Sequence, residues 1–329
     1  MNEALDSSVS AGAAFDVPFG GAKGGVAVDA SKLTPIEKEE IIRRWTRSLV
    51  HVLGHHRDIP APDMGTDAKT MAWLMDEFHR LEGFQPACVT GKPVELFGAP
   101  GREEATGRGV AQITAATLEK NNVKVKGATV AIQGFGKVGY WAAIALENFG
   151  LKVVAVSDVH GGVKGFKSVK EVWDHYQAKG NINVPGTDKL TQDELLHLDV
   201  DVLIPAALAD AITEKTAPGI KAKIIVEGAN APTTPGGDAI INDKGILVVP
   251  DILANSGGVI VSYFEWVQDF SSFFWSEDEI NARLVKVMRE AFARIWQIAQ
   301  TYQVSLRTAT FIVACTRILQ AREQRGLYP

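Results

Sequence analysis

The chain has 329 residues, of which 46% are hydrophobic and 22% are charged, and its formal net charge is -5. This length exceeds what one hydrophobic core usually supports, so two domains are expected, and the acidic balance disfavours nucleic acid as a partner. No apolar run reaches the roughly 18 residues of a membrane span, and Cys88 and Cys315 form neither a disulfide framework nor a metal-type spacing, which is typical of the reducing cytoplasm.

Four glycines surround one lysine in the segment 18–25, which is Pro-Phe-Gly-Gly-Ala-Lys-Gly-Gly. Glycine allows positive φ angles and close backbone approach, so this loop can wrap tightly around something small. If the loop lines a closed cleft, desolvation would favour the neutral, reactive amine of Lys23. The segment alone is also compatible with a glycine-rich turn that carries a solvated lysine.

The region up to residue 102 predicts two helices and two loops. The segment 34–37, Thr-Pro-Ile-Glu, is a capping box with proline at the first helical position, so a helix begins there. A second helix is predicted over 66–81 from its apolar spacing. Between them, the segment 55–63 contains two prolines and is expected to be a rigid extended loop. The Gly- and Pro-rich segment 88–102 is interpreted as a connection between domains.

From residue 106 onwards, short apolar strands alternate with helices. The predicted strands are 128–133, 152–157, 200–204, 222–226 and 246–249. A helix is predicted over 106–121, and the tail is expected to be almost wholly helical from Ser276 to about Arg325. Strands that alternate with helices are typical of an α/β fold with a parallel, doubly wound sheet.

A dinucleotide site is predicted where the first of these strands ends. The Gly134–Gly139 loop has the G-x-G-x-x-G pattern, with a strand before it and a helix after it. The glycines allow a tight turn, close approach to a pyrophosphate and close helix packing, while the helix N-terminus faces the phosphates. Asp158, at the end of the next strand, is placed to bond the ribose hydroxyls and to repel a 2′-phosphate. NAD is therefore favoured over NADP, although Lys137 and Lys164 weaken this preference.

A nicotinamide domain needs a second domain that presents the substrate and handles protons. Hydride transfer from an amino-bearing carbon leaves an iminium, which water must attack before ammonia is released. This chemistry needs one group that activates water and another that moves a proton on and off nitrogen. Lys23 and Asp63 are the candidate catalytic residues, although Asp63 by itself is equally compatible with a turn-capping aspartate.

Six motifs occur in the order typical of one enzyme family. They are Pro18–Gly25, Arg57–Asp63, Thr90–Pro93, Gly101–Gly109, Glu227–Asn230 and Asn255–Gly258, the last continuing through Ser262–Trp266. Together they span the chain from Asp16 to the C-terminus and resemble the glutamate dehydrogenases of the Glu/Leu/Phe/Val dehydrogenase family. The resemblance implies NAD(P)-dependent oxidative deamination of L-glutamate to 2-oxoglutarate and ammonium, in a cleft between two domains.

The resemblance also implies roles for particular residues. Lys23 matches the catalytic amine of the family, and Asp63 matches the aspartate that handles the proton on nitrogen. Ser262 matches the serine that bonds the substrate side-chain carboxylate, and Val259 is assigned to the substrate with it. The positions implied to contact the cofactor are Thr106, Gly134, Phe135, Gly136, Lys137, Val138, Gly139, Asp158, Asn230 and Asn255.

Ser262 also bears on the choice of substrate. The resembled leucine, valine and phenylalanine dehydrogenases carry an apolar residue at this point, whereas a hydroxyl is suited to a γ-carboxylate. This favours glutamate, but a dehydrogenase of another amino acid remains an open alternative. A further alternative is a non-catalytic NAD-binding paralogue that serves as a regulatory or structural subunit.

Three regions are predicted from the resemblance. Residues 1–105 form a substrate (dimerisation-type) domain, residues 106–290 form a Rossmann-like NAD-binding domain, and residues 291–329 form helices that pack back across the domain junction. The family has a lysine for the substrate α-carboxylate where this chain has Ala11, and another in a preceding stretch, so the substrate domain is expected to be N-terminally incomplete.

The resemblance also predicts an oligomer. The alternatives are a homo-oligomer, which is a hexamer in the resembled family, and a hetero-oligomer with a full-length paralogue. The adjacent His55 and His56 are interpreted as loop residues because no carboxylate cluster joins them, so no metal is predicted. No nucleic acid or membrane is expected as a partner.

Overall fold

The structure is a computed structural model that describes residues 12–326. Its helices are α1 (Pro35–Leu49), α2 (Ala68–Glu82), α3 (Ala105–Lys120), α4 (Lys137–Asn148), α5 (Val169–Lys179), α6 (Gln192–Leu196), α7 (Pro235–Asp243), α8 (Asp251–Ala254), α9 (Gly257–Ser271), α10 (Glu277–Tyr302) and α11 (Leu306–Arg325). Its strands are β1 (Thr129–Gln133), β2 (Lys152–Asp158), β3 (Gly161–Lys164), β4 (Asp188–Leu190), β5 (Val202–Pro205), β6 (Ile224–Val226) and β7 (Leu247–Val249). Ala11, where the sequence departs from the resembled family, lies outside the described residues.

One sheet with the strand order β4-β3-β2-β1-β5-β6-β7 forms the centre of the molecule. Strands β1, β2, β5, β6 and β7 pair in parallel, which confirms the doubly wound α/β class. Strands β3 and β4 add an antiparallel edge beside β2. The sequence does not predict this edge, because the two strands are four and three residues long and lack an apolar strand pattern.

Both faces of the sheet are covered by helices. On one face, Val130 and Ile132 of β1 belong to the same apolar cluster as buried residues of α3, α4 and α10. On the other face, Ala131 of β1 packs in a second cluster with buried residues of α6 and α7. Continuous apolar strands are what a parallel sheet buried on both faces requires.

Helices α1 and α2 surround a third, separate apolar cluster. Its buried members are Leu53, Met71, Leu74, Met75, Phe78, Cys88 and Val89. The predicted capping box is confirmed, since the Thr34 hydroxyl accepts from the Glu37 backbone and the Glu37 carboxylate accepts from Thr34. Helix α2 begins two residues later than predicted because Asp67 is its N-cap. The domain boundaries after residues 105 and 290 stay predictions.

The C-terminal tail consists of two helices, in agreement with the predicted helical tail. Its start is confirmed, because Ser276 and Glu279 form the capping box of α10. Helix α10 ends at Gln303, whose φ of +53° is left-handed and cannot continue the helix. Ser305 then caps α11, whose first turns pack beside β7 through the buried side chains of Leu306 and Ala309.

Candidate functional site

The loop after β1 has the geometry that close approach of a phosphate requires. Gly134 has a φ of +96°, and a Cβ atom there would lie 2.7 Å from the backbone nitrogen of Ala207. A Cβ atom at Gly139 would overlap the carbonyl oxygen of Gly134. Among the described residues, no atom lies within 4 Å of a Cβ built on Gly136, and no side chain caps the N-terminus of α4. The first backbone N–H groups of α4 are therefore free to donate to an anion.

Asp158 lies directly beside this loop, as the sequence predicts. The Gly134 backbone N–H donates to the carbonyl oxygen of Ser157 at 3.0 Å, which joins the ends of β1 and β2. The Asp158 carboxylate accepts a hydrogen bond from the backbone N–H of His160 at 2.8 Å. This bond fixes the orientation of the carboxylate at the carboxyl end of β2. Such a carboxylate could accept hydrogen bonds from ribose hydroxyls.

Lys137, inside the glycine loop, is engaged by a carboxylate. Its Nζ lies 2.8 Å from Glu103, and both side chains are exposed. Glu103 lies between the predicted connection 88–102 and α3, so this ion pair links the glycine loop to the start of α3. A pair of exposed charges is worth little free energy, and an incoming anion could displace it.

The carboxyl ends of β6 and β7 bring two asparagines together. Asn255 Nδ2 donates to Asn230 Oδ1 at 2.7 Å, although the residues are 25 positions apart. Asn255 precedes α9, and a Cβ atom at Gly258 in that helix would lie 2.5 Å from the Thr106 hydroxyl. The three predicted cofactor residues Thr106, Asn230 and Asn255 therefore lie around the N-terminus of one helix.

The two predicted catalytic residues form an ion pair. Lys23 Nζ lies 2.7 Å from Asp63 Oδ2, and their side chains are 38% and 63% exposed. Asp63 also accepts from the backbone of Met64 at 2.7 Å. Burial opposes ionisation of Asp63, but the hydrogen bonds from Lys23 and Met64 outweigh it, so the pKa of this carboxyl is below its ordinary value. The exposure shows that solvent reaches both charged groups.

Helix α9 supports both of the loops that carry this pair. The ring of Phe19, in the glycine-rich loop of Lys23, lies 6.0 Å from the ring of Trp266 on α9. Trp266 Nε1 donates to the carbonyl oxygen of His55, at the start of the diproline loop, at 2.9 Å. The end of that loop is held by the Thr90 backbone, which donates to the carbonyl oxygen of Pro60 at 2.9 Å.

Arg102 is a site residue that the sequence reasoning missed. Its Nε donates to the hydroxyl of Ser262 at 2.8 Å across 160 positions of sequence. Within residues 12–326, no carboxylate lies within 4.0 Å of its guanidinium nitrogens. Burial lowers the pKa of Arg102, and the nearby Glu265 opposes this effect. Arginine nevertheless stays charged at neutral pH, so a cation without an ion-pair partner faces the predicted substrate serine.

Nothing local in the sequence marks Arg102 as different from its neighbours. It is followed by Glu103 and Glu104, so the sequence suggests that Arg102 forms a local ion pair rather than a contact with a distant residue. The signal that could have found it is its place in the motif Gly101–Gly109, to which only Thr106 was assigned a role. Val259 lies on α9 one turn before Ser262 and is half-buried.

Further along α9 from the predicted substrate serine, two carboxylates of the helix and one lysine form a buried cluster of three charges. Lys92 Nζ lies 2.6 Å from Glu265 and 2.7 Å from Asp269, and all three side chains are fully buried. Glu265 also accepts from the backbone of Lys92 at 3.3 Å and of Ala99 at 3.2 Å. Burial, opposed by Lys92, raises the pKa of Asp269 to about 6. The cluster ties the 88–102 connection, and thereby Arg102, to the helix that carries Ser262.

Five predicted site residues and Arg102 thus form three hydrogen-bonded pairs. Lys23 is joined to Asp63, Ser262 to Arg102, and Asn230 to Asn255. Among the described residues, no hydrogen bond joins one of these pairs to another. In the same part of the chain, no group of three or more His, Cys, Asp and Glu residues could hold a metal ion, and no helix is both long and apolar enough to cross a membrane.

Comparisons with known proteins place this geometry in context. Residues 98–326 match the family described as Glutamate/Leucine/Phenylalanine/Valine dehydrogenase, and residues 8–80 match its dimerisation domain. A glutamate dehydrogenase of Thermotoga maritima is 49% identical over 323 residues, which are 96% of this chain and 77% of that protein. The NAD-specific glutamate dehydrogenase A of Halobacterium salinarum is 47% identical over 320 residues, with 96% and 74% coverage.

A solved structure is also similar over almost the whole chain. It is the hetero-hexameric glutamate dehydrogenase of Thermus thermophilus in its leucine-bound form. The TM-score is 0.94 at 36% identity, and the similarity covers 99% of this chain and 78% of that one. The backbone described above is therefore similar to that of a solved glutamate dehydrogenase.

Proposed function

The chain belongs to the Glu/Leu/Phe/Val dehydrogenase family, and on this premise we propose that it catalyses NAD-dependent oxidative deamination of L-glutamate to 2-oxoglutarate and ammonium. The matches confirm the family resemblance, the oxidoreductase class and NAD as cofactor. The observation that carries the chemistry is the 2.7 Å pairing of Lys23 with Asp63, in a chain that also has an open glycine loop. The cleft between residues 1–105 and 106–290 is part of the proposal.

The residues present fit a dinucleotide. The space around Gly136 and the uncapped N-terminus of α4 suit a pyrophosphate, and Asp158 suits a ribose. These residues would hold NAD, which would supply the acceptor for the hydride of the substrate α-carbon. Thr106 and the Asn230–Asn255 pair are proposed to hold the remainder of the cofactor.

The two catalytic residues divide the proton transfers. Asp63 takes the proton that the substrate ammonium must lose before its nitrogen can support an iminium. Once the incoming substrate displaces Lys23 from Asp63, Lys23 releases its proton to solvent and then takes a proton from the water that attacks the iminium carbon. Asp63 returns its proton to the nitrogen, the carbon–nitrogen bond breaks, and the proton of the new hydroxyl leaves with the departing ammonia as ammonium. In sum, glutamate, NAD and water give 2-oxoglutarate, ammonium, NADH and one proton.

Arg102 and Ser262 are proposed to bind the side-chain carboxylate of the substrate. The guanidinium and the hydroxyl are adjacent, and each can donate to a carboxylate oxygen. An apolar side chain would leave this cation without a partner, so the pair selects an acidic substrate. Val259, one helical turn away, is proposed to contact the methylene groups.

A direct test measures NADH formation by the purified chain with glutamate, leucine, valine and phenylalanine, each with NAD and with NADP. The expected result is the highest kcat/KM for glutamate with NAD. A preference for an apolar amino acid would contradict the substrate assignment. Binding of NADH without any turnover of saturating glutamate would contradict the enzyme assignment for this chain.

A second candidate function is that of a subunit in a mixed assembly. The Thermus thermophilus relative is hetero-hexameric, which favours this candidate beside a homo-oligomer. The mass of the purified protein in solution separates the two. An oligomer that contains only copies of this chain and oxidises glutamate would support the homo-oligomeric enzyme. A folded but inactive protein would support a role as one subunit of a mixed assembly.

A further inference from the structure

The C-terminal helix α11 reaches the cofactor side of the sheet through one arginine. Arg307 is the second residue of α11, and its Nη2 lies 2.7 Å from Glu227 in the loop after β6. The same guanidinium lies 3.7 Å from Asp251, which begins α8, and 3.5 Å from Asp238 of α7. Glu227 and Asp251 are buried. One cation therefore faces three carboxylates that come from three separate segments.

The position of Arg307 is unfavourable for the helix that carries it. A helix N-terminus has a partial positive charge and favours acidic side chains. The Arg307 side chain is 28% exposed and is directed at the carboxylates. Its placement is therefore explained by what it contacts, not by the stability of α11.

The carboxylates in turn hold a strained turn of the proposed cofactor site. Glu227 Oε2 accepts from the backbone of Asp251 at 2.9 Å, and Asp251 Oδ2 accepts from the backbone of Ala231 at 2.8 Å. Ala231 has a φ of +45°, a left-handed conformation that alanine adopts only when its surroundings enforce it. The preceding residue is Asn230, which receives the hydrogen bond from Asn255.

Loss of the arginine would leave this arrangement without its counter-charge. A buried carboxylate whose partner is removed is strongly unfavourable as an ion. Burial and the neighbouring Asp251 raise the pKa of Glu227, and Arg307 opposes this shift. Without Arg307, Glu227 and Asp251 repel each other, and the hydrogen bond from Ala231 to Asp251 becomes harder to maintain.

We propose that Arg307 is a positioning residue for the dinucleotide, acting through Glu227 and Asp251 on the Asn230–Ala231 turn. The inference rests on the proposed function, since it assumes that this turn contacts NAD. It adds a residue of the C-terminal helix, 52 positions beyond Asn255 in the sequence, to the determinants of cofactor affinity.

The test measures the dissociation constant of NADH by fluorescence titration of the whole chain, which does not depend on turnover. Arg307→Met is expected to weaken NADH binding about tenfold, and Arg307→Lys is expected to recover part of this loss. Arg317→Met is the matched control, because Arg317 lies on the same helix but pairs with Asp16. It is expected to change NADH affinity by less than about twofold.

A KM measurement separates positioning from general damage. At saturating NADH, the KM for 2-oxoglutarate is expected to be the same in Arg307→Lys as in the original chain. If thermal unfolding shows that Arg307→Met does not fold, the double variant Glu227→Gln/Arg307→Met removes the buried charge together with its partner. It is expected to fold and to bind NADH more weakly than the original chain.

Three outcomes would overturn the inference. Unchanged NADH affinity in a folded Arg307→Met or in the double variant would remove Arg307 from cofactor positioning. An equal loss in Arg317→Met would show that α11 acts only through overall stability. If the original chain binds no NADH, the proposed function fails and the inference fails with it. If the original chain and Arg307→Met bind NADH equally well, only the inference is rejected.

Discussion

The ion pair of Lys23 with Asp63 holds the two proposed catalytic groups close together, and it also engages both of them. At 2.7 Å the pair keeps the carboxylate ionised, which is the form that can accept a proton. In the proposed mechanism, the substrate ammonium must compete with Lys23 for the same carboxylate. Because both side chains are exposed, water screens their attraction and the exchange costs little.

Asp63→Asn is expected to lower kcat by about a hundred- to ten-thousandfold, since an amide cannot accept the proton. NADH binding should stay unchanged, because the cofactor residues lie on other elements. Asp58→Asn, a change of an exposed residue in the same loop, is the control and should keep full activity. Steady-state kinetics and NADH titration check both variants. Full activity of Asp63→Asn would remove this residue from the mechanism.

Arg102→Met is expected to lower kcat/KM for glutamate by about ten- to a hundredfold, the size of a lost charge-assisted hydrogen bond. Ser262→Val should act in the same direction with a smaller effect. Activity on leucine should fall less than activity on glutamate, because leucine has no side-chain carboxylate. The control is Arg289→Met, since Arg289 pairs with Glu119 on the outside of α3. Equal losses for both amino acids would refute a role in substrate selection.

At the scale of elements, α9 aligns the residues of the proposed substrate site. Val259, Ser262, Glu265 and Asp269 recur every three or four residues and therefore share one face of the helix. Ser262 meets Arg102, while Glu265 and Asp269 hold Lys92. A single helix thus aligns the proposed substrate serine with the connection that contains Arg102.

Two glycines of the turn into α4 are expected to have different roles, Gly136 in cofactor binding and Gly139 in folding. Gly136 has a φ of -80°, and its Cβ position is free of described atoms. Gly136→Ala should therefore leave the free energy of unfolding unchanged but weaken NADH binding at least about tenfold, because the methyl group fills the space of the pyrophosphate. Gly139→Ala should destabilise the fold by about 1–3 kcal/mol through its clash with Gly134. Denaturant unfolding and NADH titration measure the two effects, and tight NADH binding by Gly136→Ala would place the phosphate elsewhere.

For the molecule as a whole, the buried cluster of Lys92, Glu265 and Asp269 is the charged link between the connection and α9. Two carboxylates share one ammonium with no access to water. Such a cluster is costly to ionise fully, which explains the raised pKa of Asp269. It also makes the stability of the molecule depend on pH.

Asp269 is expected to lower the unfolding free energy as pH rises from about 4 to about 6. Its pKa is raised from 3.8 to about 6 by burial, so in this window the native chain keeps a proton that the unfolded chain has lost. The effect is at most about 3 kcal/mol. The difference in unfolding free energy, Asp269→Asn minus the original chain, should therefore increase as pH rises through this window. Denaturant unfolding at several pH values measures this difference. Asp243→Asn is the control, because Asp243 is exposed, and its difference from the original chain should not change with pH. A difference for Asp269→Asn that does not change with pH would contradict the raised pKa of Asp269.

The sequence by itself determined the features that depend on neighbouring residues. The capping boxes at Thr34 and Ser276 need only residues three positions apart, and the strands of the parallel sheet follow from short apolar runs. The glycine loop was predicted in the same way, because its turn, its helix and Asp158 form one continuous unit. The motifs in their order then identified the family.

The tertiary structure alone decided which distant side chains meet. Arg102 and Ser262 are 160 positions apart, and Lys92 and Glu265 are 173 positions apart. No local pattern encodes such pairs, because a charged residue in a sequence does not indicate its partner until packing removes water from around it. The antiparallel edge of β3 and β4 is decided in the same way, since strands of four and three residues are stabilised by the sheet they join rather than by their own composition.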